Sequence, residues 1–270
     1  MSAQPFFEIN VNDDVIIEGL PIWSDNYAWL LHHRPSGSTL VVDAPEAPPV
    51  LERLAARAWR LDGVLNTHHH PDHVGGNLGL QAATGAPIFG CGADAGRLPG
   101  LDRAVAPGDR RTHGPWGLEV LDLSAHTRAH IGWWLPTLGL LFPGDALFVG
   151  GCGRLFEGSP AQLTATLGRL AALPDAARFF CAHEYTLANL RWARSLLPDD
   201  VGLQEAEAEA LDRRAAGLPT VPGTIGAERR HNLYFRAGEP AVAAALGLPQ
   251  PSPVLDVITA LRAHKDQHRG

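Results

Sequence analysis

The stretch THHHPDHVGGN, residues 67–77, is the feature that most limits which folds this chain can adopt. It places four histidines and one aspartate in eleven positions, directly after the short apolar segment LDGVLN. That segment reads as a strand, and the glycine pair permits a tight exit into a helix. In open α/β architectures, ligands collect in the loops at the carboxyl ends of strands. The sequence therefore predicts an α/β fold with a ligand-bearing loop at this point.

The chain around this loop alternates between strand and helix patterns. Short apolar runs separated by turn residues predict successive strands from about residue 15 to 45, and helical spacing predicts helices at about 47–59 and 76–84. Ser159 is a predicted N-cap, followed by Pro160 in the first helical turn. Further strands are predicted at APIFG, LEVLDL, IGWWLP, GLLFPGDALF and ARFFCA.

Beyond Tyr185 the pattern changes to helical composition without convincing strands. The segments TLANLRWARSLL, LQEAEAEALDRRAAG and SPVLDVITALRAHK all favour helices. We therefore expect two domains, an α/β one over residues 1–184 that contains the histidine loop and a mostly helical one over residues 185–270.

Further ligand-type residues follow other predicted strands. Imidazole and carboxylate groups are ligands for zinc and other first-row metals. Seven such groups would crowd one ion but suit two, with three for each ion and one bridging carboxylate, and such a pair can activate water near neutral pH. The seven candidates are His68, His70, Asp72, His73, His126, Asp145 and His183.

The remaining histidines have a structural interpretation. A run such as HHH can also be a solvated surface loop, but the preceding strand and the following glycines favour a metal site here. His69 lies between two candidate ligands and should point the other way, so it is left out of the set. We expect His130 to donate a structural hydrogen bond.

Composition excludes several classes of function. The formal net charge of −7, without a long basic tract, argues against nucleic acid as a partner. No apolar run is long enough for a membrane-spanning helix, and the N-terminus lacks the pattern of a signal peptide, so we expect a cytoplasmic protein. Three unpatterned cysteines fit a reducing compartment. We expect a monomer.

Four stretches together resemble a known family. THHHPDHVGGN, SAHT, LFPGDALFVGGCGRLFEG and CAHEYTLANLRWA are similar to the ordered motifs of the metallo-β-lactamase superfamily, and specifically of glyoxalase II, hydroxyacylglutathione hydrolase. The match runs from SDNY at 24–27 through LRAHKD at 261–266, which is nearly the whole chain. The resemblance implies an α/β fold, an αββα sandwich followed by a small helical domain.

The resemblance also implies how the metal ligands are shared. One ion would be held by His68, His70 and His126, the other by Asp72, His73 and His183, with Asp145 as the bridge. Zinc is the expected metal, with iron or manganese as alternatives, since ligand type does not distinguish them.

The activity implied by the resemblance is hydrolysis of a thioester. The expected substrate is S-D-lactoylglutathione, cleaved to glutathione and D-lactate in the second step of methylglyoxal detoxification. Asp72 and Asp145 would orient the ions, and no serine or cysteine nucleophile is needed. The alternative is a persulfide dioxygenase of the same superfamily, which uses one iron.

Substrate contacts are expected from four residues that match the family. Arg262 and Lys265 lie three apart on a predicted helix and can bind glutathione carboxylates, while Arg154 and Tyr185 are further candidates. The chain departs from the family at Phe156, where a tyrosine is frequent, so one hydroxyl contact to the substrate is absent.

Overall fold

The computed structural model describes residues 6–268. Its internal contacts divide the chain into two compact units. The first unit extends to Asp122 and also includes Ala129–Gly144, and the second consists of Leu123–Arg128 and the chain from Asp145 onward. This grouping reflects internal contacts alone, and the division after residue 184 stays a prediction.

The strands of the first unit lie in two sheets. β1 to β7 form one sheet in sequence order, and β8 to β11 are consecutive neighbours in the other. Their bounds are β1 Phe7–Asn10, β2 Val15–Ile22, β3 Asn26–His33, β4 Ser38–Val42, β5 Arg60–Leu65, β6 Ile88–Cys91, β7 Leu101–Val105, β8 Arg110–His113, β9 Trp116–Asp122, β10 Ile131–Leu135 and β11 Leu140–Gly144.

Pairing in the first sheet changes direction at β4. β1 to β4 pair antiparallel, whereas β4 with β5, β5 with β6, and β6 with β7 pair parallel. Every residue of β4 is buried, which is typical of a strand covered on both faces. The carboxyl ends of β4, β5 and β6 therefore lie at one edge of the sheet, where their following loops meet.

The two sheets of the first unit are joined by buried indoles. Trp116 Nε1 donates to Ser38 Oγ at 3.1 Å, and Trp133 Nε1 donates to the carbonyl of Asn66 at 3.1 Å. Both tryptophans are almost fully buried. The second of these bonds ties β10 to the start of the histidine loop.

The helices of the first unit are α1 Ala47–Arg57, α2 Pro71–Val74 and α3 Asn77–Thr84. Prolines in the first turn favour the start of α1, as expected, and the helix ends where Ala58 takes a left-handed φ of 53°. Val50 and Leu54 of α1 share an apolar core with Leu30 of the first sheet. The helices predicted at 47–59 and 76–84 are thus present.

The second unit is mainly helical. β12 Arg178–Cys181 pairs antiparallel with the two-residue β13 Gly223–Thr224. The helices are α4 Pro160–Ala171, α5 Thr186–Leu196, α6 Val201–Ala215, α7 Ile225–His231, α8 Pro240–Ala245 and α9 Val254–Gln267. Ser159 caps α4 in a reciprocal capping box with Gln162, which confirms the predicted N-cap.

Apolar faces of these helices bury one another. Leu163 and Leu167 of α4, Trp192 of α5, Leu203 of α6 and Leu261 of α9 belong to one buried cluster. Among the described residues, 6–268, none of the helices has the length and apolar character needed to cross a membrane.

Candidate metal centre

The histidine loop begins where β5 ends. β5 pairs parallel with both β4 and β6. Its carboxyl end therefore lies between the carboxyl ends of these two strands, at the sheet edge where ligands collect in α/β folds. Backbone bonding fixes the loop, since Ile131 N donates to the carbonyl of Thr67 at 2.9 Å. α2, with a proline in its first turn, then carries Asp72 and His73. The loop and this short helix bring four candidate ligands into a small volume.

Within the first unit these four side chains converge. His68 Nε2 lies 3.0 Å from His70 Nδ1, and His73 Nε2 lies 3.5 Å from Asp72 Oδ2. His68 and His73 are also close, with ring centroids 4.0 Å apart. Asn26 Nδ2 donates to Asp72 Oδ2 at 3.2 Å and orients that carboxylate.

Asp43, which the sequence analysis did not single out, organises this cluster. It follows β4, is buried, and has a left-handed φ of 47°. Its carboxylate accepts from Thr67 N at 2.9 Å, from Thr67 Oγ1 at 2.7 Å and from His73 Nδ1 at 2.9 Å. A carboxylate only accepts, so Nδ1 carries the proton and His73 Nε2 keeps its lone pair for a metal ion.

The same chain of bonds reaches His68. Thr67 Oγ1 donates its proton to Asp43, so it accepts from His68 Nδ1, which lies 3.1 Å away. His68 Nε2 is therefore also left as a ligand atom. The signal that could have identified Asp43 is its position, as the polar residue directly after a buried parallel strand.

His130 also lies beside this cluster, and its predicted role as donor of a structural hydrogen bond stays a prediction. Its ring stacks on that of His68 at a centroid distance of 4.6 Å, and its side chain is buried.

In the second unit, Asp145 lies between two histidines. His126 Nε2 is 3.5 Å from Asp145 Oδ2, and His183 Nε2 is 3.4 Å from Asp145 Oδ1. His126 Nδ1 donates to the carbonyl of Arg154 at 2.8 Å, which leaves Nε2 as its ligand atom. Each carboxylate oxygen thus faces a different imidazole.

Aromatic rings flank these two histidines. Tyr185 stacks on His183 with centroids 4.7 Å apart and an interplanar angle of 4°, and it is 37% exposed. The rings of Phe156 and His126 are in edge contact, with centroids 5.2 Å apart, and Phe156 is 63% exposed. Both rings combine a contact to a candidate ligand with a solvent-facing surface.

The predicted substrate-binding arginines occupy different environments. Arg262 is only 5% exposed, and its Nη1 donates to the carbonyl of Cys152 at 3.1 Å, while Nη2 donates to Asp266 at 2.8 Å. Arg154 is exposed, with Nε 3.7 Å from the same Asp266 carboxylate. Arg262 therefore holds the backbone of the loop before Arg154, and Arg154 presents a cation to solvent.

Lys265 is partly buried on α9. Its Nζ donates to the carbonyl of Ala188 at 3.1 Å and lies 5.0 Å from the centre of the Trp192 ring. Burial, together with the charge of nearby Arg262, lowers the pKa of Lys265 to about 8.

The cysteines do not have the properties of nucleophiles. Cys91, Cys152 and Cys181 are all buried and free of disulfides. Burial raises the pKa of each thiol, in Cys181 to about 12. A neutral thiol is a poor nucleophile, so none of these three cysteines is a candidate for nucleophilic catalysis.

The donor set fits divalent metal ions. The ligand cluster of the first unit and that of the second unit each offer imidazole nitrogens and carboxylate oxygens. Hydrogen bonds at Nδ1 of His68, His73 and His126 leave Nε2 of each ring as the ligand atom. Mixed nitrogen and oxygen donors of this kind suit zinc and neighbouring first-row ions, whereas magnesium and calcium prefer oxygen ligands alone.

Comparison with known proteins gives two family matches. The metallo-beta-lactamase superfamily model matches residues 21–183, and the hydroxyacylglutathione hydrolase C-terminus model matches residues 184–268. A hydroxyacylglutathione hydrolase of Rhodobacter capsulatus is 50% identical over 248 residues, which cover 92% of this chain and 97% of the relative. One of Methylococcus capsulatus is 45% identical over 251 residues, covering 93% and 98%.

Solved structures show similarity in fold. ETHE1 from Myxococcus xanthus aligns with a TM-score of 0.62 and 24% identity, over 96% of this chain and 98% of that one. The BLEG-1 B3 metallo-beta-lactamase aligns with a TM-score of 0.61 and 18% identity, over 86% of this chain and 99% of that one. At these identities the likeness concerns the fold alone.

Proposed function

Because the chain belongs to the hydroxyacylglutathione hydrolase family, we propose that it hydrolyses S-2-hydroxyacylglutathiones to glutathione and a 2-hydroxy acid. The family indicated by the sequence motifs is confirmed. The predicted α/β fold class is also confirmed, as a metallo-β-lactamase fold followed by a helical C-terminal domain. The chain is a thioester hydrolase. Its proposed substrate is S-D-lactoylglutathione, with D-lactate as the acid product, in the second step of methylglyoxal detoxification.

We assign the candidate ligands to two divalent ions, zinc being favoured over iron or manganese. One ion would be held by three histidines and the other by two histidines and Asp72, with Asp145 shared between the two. The full set is His68, His70 and His126 for the first ion, and Asp72, His73 and His183 for the second.

The observation that carries the proposal is the position of Asp145 in the second unit. Its two oxygens face His126 at 3.5 Å and His183 at 3.4 Å, and these histidines belong to different ions in the proposed assignment. A carboxylate oriented in this way by one histidine on each side suits a bridging ligand. This geometry favours a dinuclear hydrolase over the mononuclear iron dioxygenase considered from the sequence.

The metal ions, when bound, supply a Lewis acid for the thioester carbonyl and activate water near neutral pH. The residues of the chain hold and orient this centre. Asn26 fixes the Asp72 carboxylate, and Asp43 fixes the tautomer of His73. The departing thiolate needs little acid assistance, and the buried, raised-pKa thiols of the chain leave no competing cysteine nucleophile.

We propose that residues 1–184 carry the metal ligands and that residues 185–270, together with Arg154 of the first domain, bind the glutathione part of the substrate. Glutathione carries two carboxylates, which cationic side chains bind by charge-assisted hydrogen bonds. Arg154 is exposed and Lys265 is partly buried, while Tyr185 offers a hydroxyl beside His183. Arg262, which is buried and donates to the carbonyl of Cys152 in the loop that precedes Arg154, is the fourth proposed contact to the substrate.

The proposed setting is a monomer in the cytoplasm, without nucleic-acid or membrane partners. Buried cysteines without disulfides support a reducing compartment. The net charge of −7 supports the expectation that nucleic acid is not bound.

The proposal is tested by following thioester absorbance of S-D-lactoylglutathione with protein before and after removal of its metals. We expect turnover that chelation abolishes and that added Zn²⁺ restores, because the hydrolytic water depends on the ions. Metal content is measured on the same samples. Absence of turnover from protein that carries two ions would contradict the proposed substrate, and one iron per chain would favour the persulfide reaction.

A second expected result concerns pH and Lys265. Its pKa of about 8 means that the ammonium group is charged below this pH and neutral above it. If Lys265 binds a glutathione carboxylate, KM for the thioester rises as pH increases through about 8. Measuring KM and kcat separately from pH 6.5 to 9.5 distinguishes this loss of binding from effects on the metal centre.

The Lys265→Arg variant is the matched control, because a guanidinium stays charged across this range. It should lose the rise in KM near pH 8. The same rise in KM in wild type and variant would show that Lys265 is not its source.

A further inference from the structure

His69 lies between two candidate ligands, yet its ring is held by a separate set of side chains. Its Nδ1 is 3.0 Å from Asp94 Oδ2, and its Nε2 is 3.0 Å from Arg97 Nη1. Both ring nitrogens are therefore engaged. The His69 side chain is 15% exposed and that of Asp94 only 4%, so the first of these contacts is largely shielded from water.

Donor chemistry defines the protonation of the His69 ring. An arginine side chain only donates, so His69 Nε2 accepts from Arg97. The remaining nitrogen, Nδ1, then carries the proton and donates it to the Asp94 carboxylate. The geometry thus corresponds to the Nδ1–H tautomer of His69, in which Nε2 accepts from Arg97.

The two supporting residues are themselves rigidly placed. Arg97 Nε donates to Asp94 Oδ1 at 3.1 Å, in addition to the Nη2 contact to the same oxygen. Arg97 N also donates to the Asp94 carbonyl at 2.8 Å. Both residues belong to a tight turn after β6, which pairs with β5, the strand that leads into the histidine loop.

This placement has a consequence for the flanking ligands. His70 has extended backbone angles, φ −61° and ψ 145°, and in extended backbone successive side chains point to opposite sides. With the His69 ring fixed on one side, the rings of His68 and His70 are directed to the other, where they approach to 3.0 Å.

We propose that Asp94 and Arg97 are positioning residues of the metal site, and this inference rests on the proposed function. Through His69 they set the direction of the two adjacent ligands. They also occupy both nitrogens of His69, so that a third neighbouring imidazole does not compete for the metal. Neither residue touches the proposed ions.

The test measures metal affinity rather than turnover. Full-length wild type, Arg97→Met and Arg97→Lys are titrated with Zn²⁺ against a chelator of known affinity. Loss of a group bonded directly to a metal ligand typically weakens metal binding about 10- to 100-fold. Arg97 acts one residue further away, through His69, so we expect R97M to raise the Zn²⁺ dissociation constant by a factor at the lower end of this range, about tenfold. R97K should be intermediate, because an ammonium can pair with Asp94 without reproducing the donor to His69.

Arg103→Met is the matched control, since Arg103 is an exposed arginine of β7 and its loss removes the same charge. R103M should bind Zn²⁺ as wild type does. The Arg97 side chain is 42% exposed, so its replacement should leave the fold intact, which thermal unfolding of the metal-free proteins checks.

A spectroscopic measurement follows the tautomer directly. Two-bond ¹H–¹⁵N spectra of the metal-free protein should show His69 protonated at Nδ1 in wild type and R103M, with the Nε2–H form increasing in R97M. Equal Zn²⁺ dissociation constants in wild type, R97M and R97K would overturn the inference. A wild type that binds no metal would instead contradict the proposed function, so the two failures are distinguishable.

Discussion

Replacing Asp145 by asparagine should remove metal from both proposed positions and lower kcat/KM by more than about 100-fold. The amide has nearly the same shape as the carboxylate, but it loses the negative charge, and one of its two termini is an N–H donor instead of a ligand oxygen. His126 and His183 face different oxygens of Asp145. In either orientation of the amide, one of these two positions is therefore taken by the NH₂ group, which is not a ligand atom.

Metal content per chain and hydrolysis of S-D-lactoylglutathione are measured together on this variant. Asp212→Asn is a suitable control, since Asp212 is exposed on α6 and its replacement changes the charge by the same amount. D212N should keep both metal and turnover. A D145N protein that retained two ions and full activity would contradict the bridging assignment.

The Gly153→Ala substitution should also be severe, although glycine has no side chain to contribute. A Cβ at this position would lie 2.1 Å from the carbonyl oxygen of Asp145 and 2.9 Å from His126 Nδ1. Two metal-site residues must then move, and displacements of about 1 Å in a catalytic site can cost about 100-fold in rate. We expect a fall in kcat of that order with weakened metal binding.

Gly168→Ala provides the opposite case. Gly168 is exposed on α4, and a Cβ there meets no atom within 4 Å. Alanine is a better helix former than glycine by about 1 kcal/mol, so G168A should raise the free energy of unfolding and leave turnover unchanged. Thermal unfolding and the hydrolysis assay measure both variants. Full activity in G153A would mean that the loop tolerates the added methyl group and that its close approach to Asp145 is unimportant.

Much of the fold was accessible from local sequence signals. The cap at Ser159 and the proline after it identify the start of α4, because the capping hydrogen bonds involve only neighbouring residues. The strand before the histidine loop was also predicted, since Leu61, Val64 and Leu65 form a short apolar segment that the structure buries. The exposed β7 and β8 were missed, because their charged sequences LDRAV and RRTH lack apolar alternation.

The parts of the candidate site that were missed depend on contacts between distant segments. Asp43 is 24 residues from Thr67 and 30 from His73, and it becomes recognisable only when β4 and β5 are paired. The same is true of Asp94 and Arg97, whose relation to His69 requires the pairing of β5 with β6. Residues that bear ligands can be recognised by type and spacing, whereas those that orient them depend on tertiary structure.

The hydrogen bonds of Asp43 tie the metal-binding loop to the first sheet. In zinc fingers the ligands are unordered without the ion, and the binding free energy is also the folding free energy. Here one buried carboxylate accepts hydrogen bonds from Thr67 and His73, beside a sheet stabilised by its own apolar core. Protein contacts therefore contribute to the ordering of this loop, so part of its entropic cost is offset by the fold and the metal ions need not supply all of it.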